Sequence, residues 1–345
     1  MLLLLIACTN GPMTVVTYNA VLAEGFVPGT LDRAQKTADA VAQVEADVIC
    51  LQEIWQPDHA ALYTEGWEHS FLPEAQQEYG EGAACTEDDL SSLNSCIDEN
   101  CAEACNDELV DCVFDNCALE FLGIEESCQS CVMANVGGDV DAVNDTCLVE
   151  STKYAYQGSF GTGIVSAHPI LETEEHVFSS TTNRRSVLHA VVDGPLGETD
   201  VYCTHLTAIF ALIPYTGEAE SWDAEQRQQI DDLRAFVDET ASGPVVLLGD
   251  FNNGPDQHSG NYNALSQGYQ SPYVDAGGDC TYCADNPLNS EDSEDRVIDH
   301  VLLKDIELES SAERVLDEAL EIEVCGESQD GAYSDHYGVR VTIGG

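Results

Sequence analysis

Short apolar runs, each ending in a polar residue and a turn, recur along this chain, and their spacing separates strands from helices. The clearest is Val245-Val246-Leu247-Leu248-Gly249-Asp250-Phe251-Asn252-Asn253, stopped by Gly254-Pro255. Apolar residues in succession, without alternation, predict a strand covered on both faces. The same pattern over Met13–Asn19, Asp47–Glu53, Gly161–Ile170 with a turn at Pro169, Ser186–Val192, Asp200–His205 and Arg296–Leu303 predicts further strands. Ser334-Asp335-His336 leads into a last strand ending near Ile343. Between the first two strands, Leu31, Ala34, Ala38, Val41 and Ala42 recur at helical spacing, with Thr30 placed to cap the helix. A second helix is expected to open at Asp223, with Gln226 completing a capping box and Ile230, Leu233 and Val237 forming the apolar face. Strand, helix and strand in succession predict a layered α/β fold.

The pattern breaks between residues 83 and 150, where cysteine takes over. Of 15 cysteines in the chain, Cys85, Cys96, Cys101, Cys105, Cys112, Cys117, Cys128, Cys131 and Cys147 fall in this segment. Ser95-Cys96-Ile97-Asp98-Glu99-Asn100-Cys101-Ala102 is echoed by Asp111-Cys112-Val113-Phe114-Asp115-Asn116-Cys117-Ala118, a short internal repeat. Cys101 and Cys105 share a helix face. We therefore expect a small helical hairpin stapled by disulfides and inserted into the main domain, with connectivity left open by the spacing. Zinc held by Cys128-x-x-Cys131 and Cys280-x-x-Cys283 is the competing expectation, weakened by the lack of nearby histidine. Cys50 and Cys203 lie in strand runs and read as small buried core residues. The organisation expected is thus a leader and linker over 1–12 and a main domain over 13–345, interrupted by the 83–150 insertion.

Charge narrows the partners. The chain carries 64 acidic and 11 basic residues, a formal charge of −53. Such a field repels polyanions, which disfavours long DNA or RNA, yet it leaves room for a phosphate ester held through a bound cation. A halophilic or marine setting would also account for the acidity. At the start, Leu5-Ile6-Ala7-Cys8 resembles a bacterial lipobox, which implies lipidation of Cys8 and anchoring at the cell envelope, although the preceding run is short and lacks basic residues. The cysteines fit an oxidising, extracellular setting.

The strand tips bring together Asn19, Glu53, His205, Asp250, Asn252, Asp299, Asp335 and His336. Carboxylates and amides of this kind suit Mg²⁺, Mn²⁺ or Ca²⁺. Histidines oriented by acidic partners can supply a base and an acid, the set that hydrolysis of a phosphate ester needs. His300 and Gln52 read instead as core hydrogen-bonding residues.

In order, Thr17-Tyr18-Asn19, Leu51-Gln52-Glu53, Gly161-Thr162-Gly163, Thr204-His205-Leu206, Gly249-Asp250-Phe251-Asn252, Ile298-Asp299-His300 and Ser334-Asp335-His336 resemble the motif series of the endonuclease/exonuclease/phosphatase superfamily, the deoxyribonuclease I-like fold. The resemblance implies a four-layered α/β sandwich of two mixed sheets with helices outside. It also implies roles: Glu53 holding the divalent cation with Asn19 and Asp335 near it, Asp250 aligning the attacking water, and Asn252 contacting a phosphoryl oxygen. His336, oriented by Asp299, would serve as general base or phosphate contact, and His205 would stabilise the leaving oxygen, with the two histidines interchangeable. Leu51-Gln52-Glu53-Ile54-Trp55, Thr204-His205-Leu206-Thr207-Ala208 and the Gln-rich helix after it are most similar to the neutral sphingomyelinases, which implies a phospholipid head group as substrate. Ala208–Tyr215, with Phe210 and Ile213, is an apolar stretch suited to touching a bilayer. The alternatives are a secreted or surface nuclease, a sugar or inositol phosphate phosphatase, for which only Arg184-Arg185 offers an adjacent basic pair, and a non-catalytic adhesion protein on the same scaffold.

Overall fold

The computed structural model describes residues 11–137, 140–210, 213–290, 293–306 and 309–344, so the lipobox and Cys8 lie outside the described residues. The chain begins with β1 (Met13–Asn19), α1 (Thr30–Val41), β2 (Val48–Gln52), α2 (Pro57–Thr64) and β3 (His69–Phe71). Helices α3 (Glu87–Asn100), α4 (Asn106–Leu122), α5 (Glu126–Ala134) and α6 (Val140–Cys147) follow. The strands resume with β4 (Gly163–Ser166), β5 (Ile170–Val177), β6 (Ser186–Gly194) and β7 (Gly197–His205), then α7 (Trp222–Thr240), β8 (Val245–Asp250), α8 (Ser259–Ser266) and α9 (Pro272–Asp275). The last elements are β9 (Asp299–Lys304), β10 (Ser310–Val315), β11 (Ala319–Val324), β12 (Glu327–Ala332) and β13 (Gly338–Ile343).

Two sheets, ordered β10-β13-β1-β2-β4-β3 and β5-β6-β7-β8-β9, pack face to face. Each apolar run explains its own place: in β8, Val246 and Leu248 point between the sheets while Val245 and Leu247 point outward onto α7. Likewise Val15 faces inward and Val16 and Tyr18 face α1 and α2. Helix, sheet, sheet and helix give the expected four layers, and burial on both faces is why the central strands read as unbroken apolar runs.

Five sequence expectations need correction. Thr30 does not cap α1: Gly29, at φ 66°, occupies the cap position, and the Thr30 hydroxyl donates to the Val27 carbonyl. Leu31 is 74% exposed and Ala42 is also exposed, whereas Arg33 and Thr37 share the buried face with Ala34, Ala38 and Val41. These polar side chains tolerate burial because Arg33 donates to the carbonyls of Pro28, Val21 and Tyr333, and Thr37 to that of Tyr333. Helix α7 opens one turn-position earlier than expected, capped by Ser221, whose hydroxyl accepts from the Ala224 N–H, so that Trp222 is buried in the first turn. Cys50 and Cys203 are indeed buried, but they form a disulfide that joins the two sheets through their shared core. The insertion, finally, is a group of helices rather than a single hairpin.

The first hairpin of that group explains the repeat. Helices α3 and α4 run side by side, with Cys96 bonded to Cys117 and Cys101 to Cys112, so the two copies pair head to tail. Asn100 and Asn116, four residues after Cys96 and Cys112, each donate to that cysteine's carbonyl, and Asn135 repeats the device on Cys131. Cys85–Cys128 and Cys131–Cys147 staple the remaining helices, and Cys105–Cys325 ties the cap to the β11–β12 turn. The last C-x-x-C closes on itself as Cys280–Cys283, so neither motif is free to bind zinc. The cap's entry and exit meet: the Ala84 N–H donates to the Cys147 carbonyl and the Gly80 N–H to that of Ser151.

Candidate active site

Sheet register places the polar tips. His205 is paired with Asp250 across β7 and β8, and Asp250 with Asp299 across β8 and β9, so three functional side chains stand in one row. On the other sheet Asn19 is paired with Gln52, and Glu53 follows. His336 enters just before β13, whose Val339 pairs with Thr17. Both rows end at the same edge of the sandwich, and residues distant in sequence meet there.

Asn19 joins the rows: its Nδ2 donates to Glu53 Oε1 at 2.9 Å and to Asp250 Oδ2 at 3.0 Å. His336 Nδ1 lies 2.8 Å from Asp299 Oδ2, which leaves Nε2 turned toward the pocket, 3.9 Å from both Asp250 Oδ2 and Asp335 Oδ1. His205 Nε2 is 3.3 Å from Asp250 Oδ2, 4.0 Å from Glu53 Oε1 and 3.1 Å from Asn252 Nδ2. Glu53 and Asn252 have φ of 58° and 52°, a left-handed backbone uncommon for residues with a Cβ, and it turns both side chains back over the strand ends. Gly161 answers a different need, since a Cβ there would come within 2.4 Å of the Trp55 ring.

Glu53, His205, Asp250, Asn252, Asp335 and His336 line one cavity of about 290 Å³. Asn19 and Asp299 are absent from its wall and act from behind, fully buried. The expected second rank also appears: His300 Nε2 meets the Asn253 carbonyl at 2.9 Å, and Gln52 bonds to Thr17. Phe210 lies at the cavity wall, 38% exposed and edge-on to Trp222, while Ile213 packs against the cap's apolar cluster.

Charge in the cavity is sharply divided. Burial disfavours the His336 imidazolium, but the carboxylates of Asp299, Asp335 and Asp250 outweigh it and hold the pKa well above its ordinary value. For His205, burial and the neighbouring Arg185 lower the pKa, with Asp250 and Glu53 opposing. Burial pushes the Asp335 carboxyl up to about 6, and Glu53 adds to it. At neutral pH one histidine is thus poised as a cation and the other as a neutral ring, a division suited to acid and base roles.

Three contributors escaped the sequence reading. Arg185 is buried in the cavity wall, 5.7 Å from the Trp55 ring, and its Nη1 has no hydrogen-bond partner among the described residues. Trp55 stacks on Tyr156 at 4.9 Å and donates from its indole to Glu53. Thr281, in the Cys280–Cys283 loop, accepts from the Asp299 N–H and so fixes the partner of His336. The one available signal was the Arg184-Arg185 pair; Arg184 turns away to Glu78 and Tyr154. The Gln-rich helix has a concrete role, since Gln226 donates to the Thr207 and Asn252 carbonyls and Gln229 to the Thr207 hydroxyl.

The donor set fits a hard divalent cation. Carboxylates of Glu53, Asp250 and Asp335 line the same cavity with the Asn19 side chain behind them, a set of oxygen donors suited to such an ion. Atoms of Glu53, His205 and Asp250 lie within 4.8 Å of one another, as do those of Asp250, Asp299 and His336.

The family model described as Endonuclease/Exonuclease/phosphatase family matches residues 23–336. Sphingomyelinase C from Streptomyces griseocarneus is 14% identical, with 97% of this chain and 100% of that one covered and a TM-score of 0.57. Beta toxin from Staphylococcus aureus, a double mutant with bound magnesium ions, is 13% identical over 97% and 100% of the two chains, with a TM-score of 0.59. TDP2 from Caenorhabditis elegans is 13% identical over 98% and 76%, with a TM-score of 0.54. No curated protein sequence matches the chain.

Proposed function

The chain belongs to the endonuclease/exonuclease/phosphatase family, and from that premise we propose that it is an exported, divalent-metal-dependent phosphodiesterase acting on an amphiphilic phosphate ester, a phospholipid head group fitting best. Arg185 carries the reading. In a chain of net charge −53, a buried guanidinium with an unsatisfied Nη1 faces the same cavity as five carboxylate and imidazole side chains, Glu53, Asp250, Asp335, His205 and His336. A phosphoryl oxygen would satisfy that donor, and charge-assisted bonds of this kind are strong when water is excluded.

A divalent cation held by Glu53, with Asn19 and Asp335 near it, would act as a Lewis acid on a phosphoryl oxygen. Asp250 would align the attacking water, with Asn252 donating to a phosphoryl oxygen. His336, oriented by Asp299 at 2.8 Å, is held as a proton-bearing ring near the phosphate, while His205 faces the leaving oxygen. Opposite these groups the wall is apolar, built from Phe26, Phe114, Met133, Ala208, Phe210 and Ile213. A cavity polar on one side and apolar on the other suits a lipid better than a polynucleotide, which the acidic field would repel. The seven disulfides support an extracellular setting, with lipidated Cys8 as the proposed anchor and Phe210 as the proposed bilayer contact.

The test is a panel of sphingomyelin vesicles, phosphatidylcholine vesicles, plasmid DNA and bis-para-nitrophenyl phosphate, each with Mg²⁺, Mn²⁺ or EDTA. Metal-dependent release of phosphocholine together with hydrolysis of the small diester is expected. Plasmid cleavage exceeding lipid hydrolysis at moderate salt would replace this reading with a nuclease.

A further inference from the structure

Between its helices the cap forms a second, partly open cavity of about 90 Å³. Its walls are apolar, with Leu93, Ile97, Val110, Val113 and Val143 prominent. A space of that size would hold roughly half a dozen waters, but an apolar lining gives them too few partners. Such a space receives hydrocarbon more readily than water. Its polar lining residues are Asn144 and Asn94, whose buried Oδ1 has no hydrogen-bond partner among the described residues.

The position of this cavity supplies its meaning. Phe114 on α4 and Met133 on α5 line both it and the catalytic cavity, so the two spaces adjoin at these side chains. Phe114 is half-buried, and methionine is the most adaptable of large apolar side chains. From Arg185 and the carboxylates, the lining therefore changes from charged to apolar and continues apolar into the cap. We propose that the cap cavity receives a hydrocarbon chain of the substrate, so that the insertion, rather than the catalytic tips, selects esters carrying such a chain. This inference rests on the reading of the catalytic cavity as a phosphoester site. The Asn94 oxygen offers an acceptor to an amide or hydroxyl near the start of the chain.

The test uses ethyl-, octyl- and dodecylphosphocholine, all below micelle-forming concentration. Binding is measured by calorimetry in EDTA, and phosphocholine release in Mg²⁺. Seating each methylene should improve affinity about threefold to fourfold, so dodecylphosphocholine should bind wild type at least about tenfold more tightly than the ethyl ester. Val110→Trp and Val143→Trp fill the cavity from two different helices, and neither residue lines the catalytic cavity. Each should abolish most of the chain-length gain in binding and in kcat/KM while leaving the ethyl ester unchanged. Chain-length independence in wild type, or an undiminished gain in a folded variant, overturns the inference. Hydrolysis without chain dependence would leave the phosphodiesterase reading intact and remove this one. Chain-dependent binding lost in the variants, with no hydrolysis of any ester, would do the reverse.

Discussion

The sandwich and its cap solve the problem of stability differently. In the sandwich, two sheets bury apolar side chains on both faces, and the Cys50–Cys203 disulfide lies inside a core that is complete around it, while Cys280–Cys283 closes only a local loop. In the cap, the cluster beneath the helices consists largely of cysteine itself, with Cys85, Cys117, Cys128, Cys131 and Cys147 buried beside Leu90, Leu93 and Phe121. A segment this short cannot remove enough apolar surface from water, so covalent staples restrict its unfolded state instead. The groups proposed for catalysis sit at or beside strand ends along one edge of the sandwich, where His205, Asp250, Asp299 and His336 are buried. The proposed contacts with the substrate's hydrocarbon chain lie in the cap, which its own disulfides hold together and Cys105–Cys325 ties to the β11–β12 turn.

This contrast can be broken most directly at the strand tips. His336→Ala should lower kcat by about a hundredfold or more with little change in thermal stability, read from initial rates on bis-para-nitrophenyl phosphate. A loss of a few fold would detach His336 from the chemistry. In the cap the effect falls on stability rather than rate: Cys101→Ser with Cys112→Ser should destabilise it by about 2–5 kcal/mol, seen as faster hydrogen exchange in α3 and α4 while β7 and β8 stay protected. Equal acceleration in the sheets would mean that the regions fold as one unit.

The core itself carries a pH signature. Burial lowers the His300 pKa to about 4, against an ordinary value of 6.5. The folded state therefore resists a proton that the unfolded chain accepts. Stability from this residue is present above pH 6.5 and is lost as pH falls toward 4, by about 3 kcal/mol in all. Denaturation midpoints measured across that window should fall less steeply for His300→Gln. The smallest effect expected is at the cap's first helix, where Thr86 and Asp89 form a capping box. Thr86→Ala should destabilise the cap by about 1 kcal/mol without altering hydrolysis.

The same contrast decides what could be read from sequence. Strands buried on both faces announce themselves as apolar runs, and their polar tips followed from where those runs stop; the row His205, Asp250, Asp299 needed only the register to complete it. Residues whose partners are remote did not show. Cys50 and Cys203 are 153 positions apart, and Arg185 is one cation among few, without a local pattern to mark it as buried. Arg33 joined the apolar face of α1 unannounced because its carbonyl partners, on Val21 and Tyr333, lie outside the helix. In the cap, Cys96-x-x-x-Asn100 and Cys112-x-x-x-Asn116 showed as a repeat, whereas the third instance, Cys131-x-x-x-Asn135, lies beyond the similar flanks and was passed over.

The joined ends of the cap have an evolutionary reading. Where Ala84 reaches Cys147 and Gly80 reaches Ser151, the chain leaves the sandwich and returns almost to the same point. Such a seam lets a lineage gain, trade or discard a whole accessory module while every strand around it keeps its neighbours. Descendants of one ancestral hydrolase can then diversify their diet by exchanging what is plugged in there, with the reaction centre inherited unaltered.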